Sequence, residues 1–175
     1  MPNMQNEKTP MPLQEGLVRI TNFEEVALGY TEEQMINEAD RCLHCVNHPC
    51  TAGCPVSVMI PDFIKALKQG KIDEAYGIIT KTNSFPTICG RVCPQENQCE
   101  KNCVRAIRRL ERYVADHHTP VLPEKPQPNG VKVAVVGSGP AGLACAADLA
   151  KEGFAVTIYE ALHEAGGVLR YGIPE

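Results

Sequence analysis

The chain has 175 residues, of which 43% are hydrophobic and 22% charged, and a formal net charge of −4. Such values fit an ordinary globular chain of one or two small domains, and the slight acidity gives no sign of a nucleic-acid partner. No basic start leads into an apolar run, and no apolar stretch approaches the ~20 residues of a membrane helix, so the expected setting is the cytoplasm, with no membrane partner.

Residues 1–21 read as a poorly specified tail, and Asn22 to Val26 as a short turn of helix leading into a helical domain over 22–119. Thr31 and Gln34 form a capping-box pattern, each side chain satisfying an orphan backbone donor of the other. Behind it Met35, Ile36, Ala39, Cys42 and Leu43 recur at helical spacing. The spacing predicts a helix that delivers Cys42, with Arg41 near its end facing the negative pole of the helix dipole.

Eight of the nine cysteines follow in two groups of four. The first is Cys42-x2-Cys45-x4-Cys50-x3-Cys54-Pro55, and after 34 intervening residues comes Cys89-x3-Cys93-Pro94-x4-Cys99-x3-Cys103. Eight thiolates are what two four-iron (4Fe-4S) clusters need if every iron takes one. Three thiolates close in sequence grip three corners of a cube, while a fourth followed by proline tends to reach across to the other cube. Disulfides would need an oxidising compartment. Zinc usually takes short CxxC pairs, and only Cys42 and Cys45 have that spacing. Aromatic residues are 5% and tryptophan is absent, so this region is expected to hold little conventional core and to draw much of its folding energy from metal.

Between the groups, Pro61 to Gly70 has a proline in its first turn, a glycine past its end and a buried stripe of Phe63, Ile64 and Leu67. Asp73 to Thr80 reads as a second helix, making a hairpin that spaces the two ligand groups. A third helix is expected from near Gln95 through Val114, with Lys101, Arg105, Arg108, Arg109 and Arg112 opposed by Glu111 alone. That basic run reads as a solvated face offsetting cluster charge, with docking of an acidic partner or a field that raises cluster potential as the functional alternatives. His44, His48, His117 and His118 read as surface groups or neighbours of ligands rather than ligands.

The proline-rich stretch 120–130 reads as a stiff linker. Beyond it, 131–175 holds Val131 to Val136 as a buried parallel strand, then Gly137-Ser138-Gly139-Pro140-Ala141-Gly142, a helix from Leu143 to Glu152, and a strand from Phe154 to Tyr159 ending at Glu160. Strand, glycine turn, helix, strand and terminal acid are the ordered parts of a dinucleotide-binding unit. Gly137 permits the turn, Gly139 admits a pyrophosphate to the helix N-terminus, Gly142 lets the helix pack close, and Glu160 accepts from ribose hydroxyls. Cys145 reads as core packing. The fold class is thus an α-helical two-cluster iron–sulfur domain followed by the first βαβ unit of a doubly wound α/β, Rossmann-type sheet. Two strands do not cover such a sheet, so the chain reads as the front portion of a longer enzyme.

Several stretches together carry a family resemblance: Gly29-Tyr30-Thr31, Glu38-Ala39-x-Arg41-Cys42-Leu43-x-Cys45, Ile88-Cys89-Gly90-Arg91-Val92-Cys93-Pro94-Gln95-Glu96, Leu110-Glu111-Arg112-Tyr113-Val114-Ala115-Asp116, and Gly166-Gly167-Val168-Leu169-Arg170-Tyr171-Gly172-Ile173-Pro174-Glu175. They resemble the small (β) subunit of NADPH-dependent glutamate synthase and its relatives. Among these are the flavin subunit of the ferredoxin-linked NADH/NADP transhydrogenase and the N-terminal part of dihydropyrimidine dehydrogenase. The resemblance implies an NAD(P)H-dependent oxidoreductase with two 4Fe-4S clusters, FAD at the glycine loop including Gly167, a further NAD(P)H-binding domain, and a redox partner such as the glutamate synthase large subunit. It also implies Cys42, Cys45, Cys50 and Cys103 as ligands of one cluster. For the other it implies Cys54, Cys93, Cys99 and a side-chain oxygen at Glu111, with Cys89 a near neighbour, whereas spacing alone selects Cys89. On a continuous helix Cys103 and Glu111 would stand about 12 Å apart along the axis. No residue here is expected to act as a general acid, base or nucleophile; the chemistry is electron relay, with a non-enzymatic iron–sulfur scaffold as the alternative.

Overall fold

The computed structural model describes residues 3–121 and 124–173. It divides into two compact units, one made of residues 1–21 with 25–120 and the other of 22–24 with 121–175. Of the expected tail, linker and C-terminal stretch, Met1, Pro2, Leu122, Pro123, Pro174 and Glu175 lie outside the described residues.

The first unit is helical. After α1 (Gly16–Arg19) come α2 (Glu32–Ala39), α3 (Pro49–Ala52), α4 (Ile60–Lys68), α5 (Ile72–Thr80), α6 (Pro86–Val92) and α7 (Ile107–His117). The Thr31–Gln34 capping box is formed in both directions and starts α2. Prolines open α3, α4 and α6, where a missing N–H costs nothing. The α4–α5 hairpin stands as the sequence pattern predicts, with Phe63, Ile64 and Leu67 buried, and Ile79, Ile107, Leu110 and Val114 close the core around them. This is a conventional apolar core, contrary to the expectation from scarce aromatics. Mostly aliphatic side chains from α4, α5 and α7 suffice, because burial energy follows apolar area rather than ring content.

Several further expectations need correction. Residues 22–26 form no helix. The expected tail is pinned: Arg41 donates to the carbonyls of Gln5 and Asn6 at 3.2 Å each, and Glu38 accepts from the Thr9 peptide N–H at 2.7 Å. Arg41 is fully buried in an ion pair with Glu38, so it serves this strap rather than the helix dipole. The single helix over 95–114 is instead two 3-10 turns, Gln95–Asn97 and Glu100–Asn102, an extended Cys103, and α7. Side chains at the end of α2 and just beyond it claim the backbone groups a helix would have used. Val104 C=O accepts from Arg41 at 3.0 Å, and the Ala106 N–H donates to Glu38 at 2.8 Å. The basic run is a solvated face only in part: Lys101 is exposed and Arg108 and Arg109 are half-buried, but Arg105 and Arg112 are buried.

The second unit pairs β1 (Lys132–Val136) with β2 (Ala155–Tyr159) in parallel, in register Lys132 to Ala155, joined by α8 (Pro140–Lys151) and followed by α9 (Val168–Tyr171). In β1 only Val133 and Val135 are half-buried, on the side where α8 lies against the strand, so the expected buried strand has one covered face. Cys145 is exposed rather than packed in a core. Among the described residues no helix is long and apolar enough to cross a membrane.

Candidate iron–sulfur and nucleotide sites

The eight thiols gather into two groups that do not follow the order of the sequence. Cys42 stands just beyond α2, Cys45 on the exposed turn after it, and Cys50 in α3, which packs on the 3-10 turn leading into Cys103. Burial pushes the Cys42, Cys50 and Cys103 thiols up, and their mutual charges add to this: Cys103 raises Cys50 and Cys42, and Cys45 raises Cys103. The other group lines a cavity of about 180 Å³ with Cys54, Cys89, Cys93, Cys99 and Glu111 in its wall. Cys54, last of the first sequence group, therefore stands with the second; Cys103, last of the second, stands with the first.

Close helix contact builds the second cavity. A Cβ on Gly90 would lie 2.7 Å from the Arg112 Cα, so α6 reaches α7 only because that side chain is missing. This brings Cys89 on α6 and Cys93 just past its end against Glu111 on α7. A charge cluster holds the crossing: Arg91 pairs with Asp116 at 2.9 Å and with Glu25 at 2.9 Å, and Arg112 pairs with Glu25 at 3.0 Å and Asp116 at 3.2 Å.

Three carboxamides furnish the cavity, and the sequence pattern did not single them out as such. Asn83 donates to Glu111 Oε1 at 2.8 Å and Gln95 to Oε2 at 2.7 Å. The thiols of Cys89, Cys93 and Cys99 donate to Asn83, Gln98 and Gln95 at 3.5, 3.3 and 3.5 Å. Gln95 lies in the quoted Cys-Pro-Gln-Glu stretch and could have been found there; nothing local marks Asn83. Burial raises Glu111 to about 7 against these amide bonds. Burial, then the charges of Cys89, Glu111 and Cys54, carries Cys93 to about 11. Burial, with Glu100 next, carries Cys99 to about 12. Such thiols give up their protons when metal takes their place.

The donor set fits a multi-atom group rather than one ion. Among the described residues no three His, Cys, Asp or Glu side chains converge as they would around a single metal ion. A cube binds each thiolate through a different iron and so spreads its ligands. The cavity also exceeds several-fold the ~30 Å³ share of a water molecule. A larger recess of about 730 Å³ between α4 and α5 is an open polar groove lined by Asp62, Lys65 and Glu74 among others, without a thiol. His117 and His118 stack on Tyr113 and Tyr76 and take no part in either thiol group.

In the second unit the glycine loop caps α8. A Cβ on Gly142 would lie 2.0 Å from Gly137 O, so α8 begins this close to the loop only with glycine there. Gly139 is the N-cap, with open space where a Cβ would stand, and Pro140 and Ala141 begin the helix. Gly167 lies against Gly139. Ser138 is fully buried; its N–H donates to Glu160 at 2.8 Å, its hydroxyl donates to the same oxygen and accepts from Gly166 N–H at 2.9 Å. The Leu162 N–H, with Ser138 next, draws the half-buried Glu160 carboxyl down to about 2.

Residues 19–121 match the family described as dihydropyrimidine dehydrogenase domain II, 4Fe-4S cluster. The chain belongs to that family. Residues 135–172 match the NAD(P)-binding Rossmann-like domain. Together the two matches account for the expected order, an iron–sulfur domain followed by the start of a nucleotide-binding α/β unit. The chain is 39% identical over 89% of its length to the NADPH glutamate synthase small chain of Azospirillum brasilense, of which it covers 35%. It is 38% identical over 90% of its length to the same protein of Escherichia coli, covering 36%. It is 36% identical over 87% of its length to the NAD-dependent dihydropyrimidine dehydrogenase subunit PreT of Salmonella typhimurium, covering 39%. The chain thus spans little more than a third of the length of these relatives.

Proposed function

We propose that the chain is the electron-relay portion of an NAD(P)H-dependent flavin and iron–sulfur oxidoreductase of the glutamate synthase small-subunit type. The observation that carries this reading is the exchange of Cys54 and Cys103 between the two sequence groups, which yields two thiol sites on a chain that also carries a dinucleotide loop. In this reading Cys42, Cys45, Cys50 and Cys103 hold one 4Fe-4S cluster, and Cys54, Cys93, Cys99 and Glu111 hold the second. Glu111 is favoured over Cys89 because its two oxygens are already oriented by Asn83 and Gln95, as ligating carboxylates usually are.

When bound, the clusters supply one-electron transfer, and FAD at the 137–142 loop supplies the exchange of a hydride for single electrons. The chain's own residues hold and orient. The α8 N-terminus would receive the pyrophosphate, Glu160 would accept from the ribose, and the packed α6–α7 crossing would hold Cys89 and Cys93 beside Glu111. The partner in this reading is a glutamate synthase large subunit, in a cytoplasmic setting that keeps the thiols reduced. The similarity to PreT favours a second acceptor, a pyrimidine-reducing partner, and assays with each partner separate the two.

The test is composition. The anaerobically prepared chain should carry about eight irons and eight sulfides. Two tightly bound zinc ions per chain and no sulfide would falsify the reading.

A further inference from the structure

Arg105 stands apart from the other buried arginines of the helical unit. Arg41 is matched by Glu38 and three backbone carbonyls, and Arg112 by Glu25 and Asp116. Arg105 is 6% exposed, and among the described residues no carboxylate pairs with it. Its Nε is the one buried side-chain nitrogen or oxygen among the described residues without a hydrogen-bond partner. A buried cation with an idle donor is strongly disfavoured unless an anion stands beside it.

The neighbour is the first thiol group. Arg105 is two residues from Cys103, and its backbone N–H bonds the Cys103 sulfur. Its positive charge draws the Cys42 and Cys103 thiols down, against the burial that pushes them up. The second group has more acidic surroundings. Glu100 bears on Cys99 and on Cys103 alike, but Glu111 bears on Cys89, Cys93 and Cys99, with only Arg108 opposing at Cys93.

We propose that Arg105 donates its Nε–H to the iron–sulfur group held by Cys42, Cys45, Cys50 and Cys103, and that this bond and charge set its reduction potential above that of the group beside Glu111. The proposal rests on the two-cluster reading above. Hydrogen bonds to cluster sulfurs and nearby positive charge both favour the more negative, reduced form, and so raise potential.

Redox titration of the anaerobically loaded chain, followed by spin resonance, tests it. Cys45→Ser and Cys99→Ser assign the two signals by which of them each perturbs. Arg105→Gln should shift the midpoint of the first signal to lower potential and leave the second in place. Arg105→Lys, which keeps the charge but not the planar donor, should shift it less. An unmoved first midpoint in the fully loaded Gln variant, or equal shifts of both signals, overturns the proposal. Loss of the first signal from both variants also overturns it, because Arg105 would then build the site rather than tune it. A single signal in the unmodified chain would instead overturn the two-cluster reading, so the two failures are distinct.

Discussion

Glu111 is a buried carboxylate whose oxygens each receive a carboxamide N–H, in a wall shared with four thiols. If it is the fourth ligand of the second site, Glu111→Ala should alter that site's spin signal, while Cys89→Ser should leave it nearly unchanged. The reverse pattern would return the site to four thiolates. Ser138 and Glu160 offer a separate residue-scale test. Carbon NMR should find Glu160 titrating near 2, and Ser138→Ala should move it toward the ordinary ~4.3. A carboxyl held below its unfolded value adds stability that is fully present above the ordinary range and is lost as pH falls through the folded value. A Glu160 that already titrates in the ordinary range would mean that the hydrogen bonds from Ser138 and Leu162 do not form in solution. The capping box and the glycine loop were legible at this scale because their partners lie a few residues away. The burial of Arg105 and Arg112 was not, since basic residues three and four apart look like any solvated helix face until carboxylates and thiols from distant segments are placed beside them.

At the scale of elements, the α6–α7 contact is the most exposed to a single change. Gly90→Ala puts a methyl group into the Arg112 backbone and should cost at least the ~1–3 kcal/mol of ordinary overpacking. On the two-cluster reading it should weaken the signal of the second site before that of the first; equal loss of both would show that the crossing does not set the second site alone. Glu38 and Arg41 tie α2 to the 5–9 strap and to residues 104–106. Arg41→Met leaves Glu38 charged and buried, and chemical denaturation should register a loss of about 3–5 kcal/mol. A loss below 1 kcal/mol would mean that the strap is held by other contacts. The same pair explains why the expected helix over 95–114 breaks. Nothing within those residues announces that their carbonyls and N–H groups will be claimed by side chains some 65 positions earlier.

At the scale of the whole molecule, the helical unit has an apolar core in α4, α5 and α7, with Phe63, Leu67, Ile79 and Leu110 almost without exposure. Chelation of metal should therefore leave most of the far-ultraviolet helix signal in place while the second cavity loosens. A random-coil spectrum would overturn this and restore metal as the main source of folding energy. The α4–α5 hairpin and the βαβ unit were legible because their periodicity and turn signals are local. The sharing out of cysteines was legible in part. The proline after Cys54 marks a thiolate that reaches across, and the family resemblance implied Cys103 with Cys42, Cys45 and Cys50. Gaps of 2, 4 and 3 residues in the first group and 3, 5 and 3 in the second do not by themselves distinguish self-contained fours from exchanged ones. That exchange binds the order of synthesis to the order of assembly. A ribosome delivers Cys42, Cys45 and Cys50 early, yet their companion Cys103 emerges only after the thiols of the other site. A nascent chain that stops short of Cys103 holds every thiol of the other group but leaves its own first group open, and on the two-cluster reading closing that group would tie residues 42–50 to residue 103 across the segment that carries the other group.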